Sequence, residues 1–174
     1  MDAIIILDLQ KGILKKKDFS IVLNNIKKLI FEFKKNNNIV ILTKHISNDT
    51  DSPYYIESSD VDIPEEILGF GDYVIEKTSC NPFYRTNLSR ILTDNDVSKV
   101  YICGFNTEYC CLFSSILCAD RGYKTFFIED ASGTFGDEFI YEMPGIDIND
   151  FIGSILNWSG EVHVLYTHEF LDGF

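Results

Sequence analysis

Five short apolar runs constrain this chain most: Ala3 to Leu7, Ile39 to Leu42, Val100 to Cys103, Phe126 to Ile128 and Val162 to Tyr166. None alternates apolar with polar, so each reads as a strand buried on both faces, which is the condition of a parallel sheet covered by helices. Tyr73 to Glu76 reads as a sixth, weaker strand. Between the first two runs, Phe19, Val22, Leu23, Ile26, Leu29, Ile30 and Phe33 recur at helical spacing, predicting an amphipathic helix from Asp18, its cap, to Asn36. Further helices are predicted over Thr86 to Thr93, over Thr107 to Arg121 with Gly122 as its stop, and near Asp147 to Trp158. Strand and helix alternating in this way predict a doubly wound, three-layer α/β fold with a mainly parallel six-stranded sheet, Rossmann-like in outline.

With 174 residues, 45% of them apolar, one core and one domain spanning 1–174 are expected. Lys44 to Asp72 and Ser132 to Ile146 lack sustained periodicity, and long irregular connections of this kind often line active sites. The formal charge of −12 disfavours nucleic acid and anionic membrane surfaces as partners. No run before Asp8 matches a signal segment or a membrane span, which makes a cytoplasmic protein the expectation. Its five cysteines form no CxxC pair, consistent with reduced thiols rather than zinc or dithiol chemistry.

Ligands of open α/β sheets gather beyond the carboxyl ends of the strands. Three reactive side chains are predicted there: Asp8 after the first strand, Lys77 after the third, and Cys110 in the first turn of the helix that follows the fourth. A helix N-terminus and a nearby ammonium both favour thiolate, so Cys110 is the candidate nucleophile and Asp8 the candidate acid-base group. Cys111 lies about 100° further round the helix and is expected to face the sheet. Other α/β chemistries fail on spacing. No GxxxxGK[ST] is present, and Gly69-Phe70-Gly71 has Val74 where GxGxxG needs its third glycine. Asp8-Leu9-Gln10 lacks a second carboxylate for a magnesium phosphatase, and no cysteine has an Arg six residues on.

These residues fall into a known pattern. The chain resembles the isochorismatase-like cysteine hydrolases, the group that includes nicotinamidases and N-carbamoylsarcosine amidase. The likeness is carried by Ile4-Ile5-Ile6-Leu7-Asp8-Leu9-Gln10, by Lys77 with Phe83 and Thr86-Asn87-Leu88, and by Gly104-Phe105-Asn106-Thr107-Glu108-Tyr109-Cys110-Cys111 followed by Ala119 and Gly122-Tyr123. Glu129-Asp130-Ala131 resembles the ending of the next strand. The resemblance implies a catalytic triad of Asp8, Lys77 and Cys110, a cis peptide between Phe105 and Asn106, and an oxyanion hole formed by the backbone N–H groups of Asn106 and Cys110. It implies hydrolysis of a small amide or related C–N bond through a thioester, with no cofactor.

The metal-ligand pattern of nicotinamidases is incomplete here. Thr43-Lys44-His45-Ile46-Ser47 offers one histidine, so no metal is expected. His45 reads either as a substrate contact or as an ordinary loop histidine, and Phe83 either as an apolar pocket wall or as core. Small-molecule substrate is the expected partner, and the resemblance leaves a homo-oligomer open. The rival reading is a noncatalytic binding or regulatory module that keeps the fold.

Overall fold

The structure is a computed structural model and describes residues 1–173. Six strands form one sheet: β1 (Asp2–Leu7), β2 (Ile39–His45), β3 (Tyr73–Lys77), β4 (Lys99–Phe105), β5 (Lys124–Gly133) and β6 (Val162–Leu165). Their order is β3-β2-β1-β4-β5-β6 and every neighbouring pair is parallel. The chain winds outward from β1 to β3, then returns to place β4 on the other side of β1. That reversal is a topological switch point, where adjacent connections leave toward opposite faces and open a crevice.

Helices α1 (Lys11–Leu14), α2 (Ser20–Lys35), α3 (Glu65–Leu68), α4 (Leu88–Asp94), α5 (Leu112–Asp120), α6 (Ile148–Ser159) and α7 (Thr167–Leu171) complete the layers. One core packs Ile26, Leu29, Ile30 and Phe33 of α2 against Ile4, Ile6, Val40 and Leu42. The other packs Leu88, Ile91 and Leu92 of α4, Cys118 of α5 and Ile152 and Leu156 of α6 against Ala3, Ile5, Leu7, Val100 and Ile102. Alternate residues of each strand thus feed opposite cores, which is why the strand sequences read as unbroken apolar runs.

The fold agrees with the three-layer α/β expectation, and the differences are local. The N-cap of α2 is Phe19 rather than the predicted Asp18, whose carboxylate accepts from the Ser20 N–H at 2.9 Å in the turn before it, so the helix begins two residues later than predicted. β5 is longer than its apolar run because it skips register against β4. Ile102 pairs with Phe127 but Gly104 pairs with Ser132, and the irregularity absorbs polar Glu129 and Asp130. The irregular segment after β2 holds a 3-10 turn, Ser59–Val61, together with α3. Among the described residues no helix is long and apolar enough to cross a membrane.

Gly104 explains how β1 and β4 come so close at the switch point. Its φ is +113°, and a Cβ there would fall 2.2 Å from the Leu7 carbonyl oxygen. Only glycine permits both the backbone angle and the approach.

Candidate active site

Asp8 follows β1 with φ +49°, in the left-handed region that Asp tolerates better than most residues. The turn directs its carboxylate into the crevice, where it is fully buried. Thr43 on β2 secures it: its hydroxyl donates to Asp8 Oδ1 at 2.6 Å, and the Asp8 N–H donates to Thr43 Oγ1 at 3.1 Å. Lys77 ends β3 and extends its ammonium beneath the neighbouring strand end, so that the side chain is buried as well. Nζ lies 2.6 Å from Asp8 Oδ2, 3.2 Å from Cys110 Sγ, 3.1 Å from His45 Nδ1 and 3.2 Å from the Ser79 carbonyl.

Cys110 is brought to this ammonium by an irregular turn. The Phe105–Asn106 peptide is cis, and Thr107–Cys111 then winds as a π-helical turn before α5. Within it the Asn106 carbonyl accepts from the N–H groups of both Tyr109 and Cys111, each at 3.1 Å, and the intervening Cys110 N–H is not one of its partners. A widened turn of this type is a frequent feature of functional sites. Cys110 is 3% exposed, and Cys111, one position on, is fully buried as expected.

Electrostatics hold Asp8 ionised. Burial acts to raise its carboxyl, yet the Lys77 charge and the surrounding hydrogen bonds bring it down to about 2. Lys77 responds in kind: burial lowers its ammonium, but Asp8 and Cys110 raise it further. The thiols differ from the sequence expectation. Cys110 is raised, first by its hydrogen bond with Cys80 and then by burial and Asp8, which together outweigh the ammonium. Cys80 is lowered to about 6, first by that same hydrogen bond, with Lys77 opposing its burial.

Asp8, His45 and Cys110 are near enough to share a metal ion, since their ligand atoms lie within 4.8 Å of one another. They do not fit one. All three face Lys77 Nζ, and an ammonium at 2.6 to 3.2 Å already holds the point on which they converge.

The other sequence candidates separate clearly. His45 joins the cluster, and a cavity of about 310 Å³ opens beside it, lined by Ile46, Ser47, Asn48, Ile56 and Thr78. Phe83 is partly buried against the core, with the Arg121 guanidinium 4.0 Å from its ring centroid. A larger cavity of about 520 Å³ lies between Lys17, Phe19 and Asn149, and none of its lining residues belongs to the Cys110 cluster.

Sequence reasoning left out four residues that complete the site. Gln10 is fully buried and clamps β2, its amide donating to the His45 and Val61 carbonyls while its oxygen accepts from the His45 N–H at 2.8 Å. Thr43 anchors Asp8, Cys80 pushes the Cys110 thiol up, and Tyr54 stacks on His45 with ring centroids 4.7 Å apart. Only Gln10 carried a signal, its fixed place two residues after Asp8.

Comparison with known proteins agrees with this fold. The isochorismatase domain model matches residues 2–144. The uncharacterized isochorismatase family protein YwoC of Bacillus subtilis is 30% identical over 150 residues, covering 78% of this chain and 79% of its own length. Among solved structures, a cysteine hydrolase from Pseudomonas syringae pv. phaseolicola superimposes with a TM-score of 0.82 at 19% identity, covering 98% of this chain and 91% of that one. A nicotinamidase from Bacillus subtilis does so with a TM-score of 0.76 at 16% identity, covering 94% and 98%. By the extent of the family match, which takes in both Asp8 and Cys110, the chain belongs to the isochorismatase family of hydrolases.

Proposed function

We propose that this protein is a cysteine hydrolase that cleaves a small amide, or a related C–N bond, through a thioester on Cys110. The observation that carries the reading is the buried ammonium of Lys77, in contact with a carboxylate at 2.6 Å and a sulfur at 3.2 Å. In this reading Cys110 Sγ attacks the carbonyl carbon as thiolate, and Lys77 compensates the negative charge of the sulfur. Asp8 relays the thiol proton to the departing nitrogen, which leaves as the C–N bond breaks. Water then attacks the thioester, the acid departs, and Cys110 regains its proton. The N–H groups of Asn106 and Cys110 receive the oxyanion, a contribution of about 3 to 4 kcal/mol to the transition state.

Burial of the cluster and the modest cavity beside His45 favour a small-molecule substrate, with His45 and Tyr54 as its neighbours. The site needs neither cofactor nor metal in this scheme. Its five unpaired thiols suit a reducing compartment such as the cytoplasm.

The test is ammonia release from a panel of small primary amides by the wild-type protein, Cys110→Ala and Cys111→Ala, each confirmed folded by circular dichroism. Turnover lost in Cys110→Ala and retained in Cys111→Ala is the expected result. The rival binding module would show no turnover on any amide, together with alkylation of Cys110 as slow as that of buried Cys103.

A further inference from the structure

One polar atom of the crevice takes no part in the Cys110 cluster. Asn106 joins β4 to the π-helical turn that carries Cys110, and it is only 5% exposed. Its backbone carbonyl is occupied by the Tyr109 and Cys111 N–H groups. In its side chain Nδ2 donates to the Tyr54 hydroxyl at 3.5 Å, whereas the buried Oδ1 accepts no hydrogen bond among the described residues. The cation of the cluster does not serve it either: Lys77 makes its contacts with Asp8, Cys110, His45 and the Ser79 carbonyl. A buried carbonyl oxygen without a donor destabilises a fold, so one kept beside a reactive cysteine calls for a donor from the ligand.

Tyr54 ties this side chain to the reacting side of the crevice. Its ring stacks on His45, whose Nδ1 lies 4.0 Å from Cys110 Sγ. Burial, reinforced by the negative charges of Asp8 and Cys110, pushes the Tyr54 phenol up, so the hydroxyl keeps its proton. In the proposed reaction the backbone N–H of the same Asn106 receives the substrate oxygen. An unsubstituted carboxamide carries that oxygen and one N–H side by side, an acceptor next to a donor. Asn106 offers the complement on a single residue, a backbone donor and a side-chain acceptor, and two-point matches of this kind are how an N–H beside an acceptor is read. A substituted amide in its ordinary trans form turns its substituent, not its N–H, to the oxygen's side.

From this we infer that the side chain of Asn106 determines specificity: Oδ1 accepts the N–H of the scissile amide nitrogen, Tyr54 positions it, and the substrates are unsubstituted carboxamides. The inference rests on the reading of Cys110 as the nucleophile of an amidase. It separates these amides from N-substituted amides and from esters, which share the carbonyl but bring no N–H to Oδ1. The contact also strengthens along the reaction. As the C–N bond breaks and the nitrogen takes up its proton, the nitrogen becomes a stronger donor, so the hydrogen bond is worth more at departure than in the bound substrate. Loss of Oδ1 should therefore fall on kcat more than on KM.

The experiment measures kcat and KM for three compounds built on one acid: the unsubstituted amide that the panel turns over fastest, its N-methyl amide and its methyl ester. The proteins are the wild type, Asn106→Ala and Tyr54→Phe, checked by circular dichroism, with Cys110→Ala as the blank. The wild type should favour the unsubstituted over the N-methyl amide by about 100-fold or more in kcat/KM. In Asn106→Ala the amide-to-ester ratio of kcat/KM should fall by about 10-fold or more, chiefly through kcat. Tyr54→Phe keeps the ring on His45 and should lower the same ratio by a smaller factor, which a purely structural role would leave alone. A ratio unchanged in Asn106→Ala, with Cys110-dependent amide turnover present, would overturn the inference and leave the reaction standing. Should Asn106→Ala not fold, equal turnover of the two amides by the wild type, or an unchanged ratio in Tyr54→Phe, would overturn it. Absence of Cys110-dependent turnover on every amide would remove the reaction itself, and the inference with it.

Discussion

Replacing Lys77 by Met keeps the aliphatic stem and removes the charge at the centre of the site. In the native protein burial acts to raise the Asp8 carboxyl, but Lys77 and the hydrogen bonds hold it at about 2 against an ordinary 3.8. A depressed folded-state value means stabilisation that is fully present above pH 3.8 and lost as the pH falls through 2. The difference is worth about 2 kcal/mol, of which about 1 kcal/mol disappears between pH 5 and pH 3. Without the ammonium the burial effect remains and the principal opposing one is gone, so the carboxyl of the variant moves above its ordinary value and the sign reverses. At pH 7 the variant holds an unpaired buried carboxylate and should be about 3 to 5 kcal/mol less stable than the wild type. On acidification from pH 5 to 3 the gap should narrow by at least about 1 kcal/mol. Urea unfolding at each pH measures this, and Lys77→Met combined with Asp8→Asn should recover much of the loss at pH 7. Parallel pH curves for wild type and Lys77→Met would refute the view that Lys77 holds Asp8 ionised.

Three further outcomes are expected. The pH dependence of iodoacetamide alkylation, read at each cysteine by mass spectrometry, should show a wild-type step near about 6 at Cys80 and one above the ordinary thiol range at Cys110, both moving upward in Lys77→Met as the cation is lost. Amide turnover should survive EDTA, because the donors of Asp8, His45 and Cys110 are turned to an ammonium; activity lost with chelator and restored by a stoichiometric metal would contradict this. Gly104→Ala should destabilise the fold by at least about 3 kcal/mol in thermal or urea melts, since it combines a positive φ with a Cβ driven against the Leu7 backbone.

The apolar runs determined the fold class, because strands that feed two cores cannot alternate and only a covered parallel sheet accommodates them. Asp8, Lys77 and Cys110 were legible for a related reason. Each closes or follows a recognisable strand, and strand ends in such a sheet share one rim. What only the tertiary structure decided depends on contacts between segments far apart in the chain. Phe83 has the same local sequence whether it lines a pocket or packs, and its contact with the Arg121 guanidinium joins segments nearly forty residues apart. Cys80 carried no signal beside Cys110 because thirty residues separate them, and its influence on the Cys110 thiol arises only once β3 and β4 are aligned through β2 and β1. The thiol titration likewise could not be read from the helix terminus and the lysine alone. Burial, Asp8 and the second sulfur act over a few ångströms of folded space, and their balance reverses the direction that the local sequence implies.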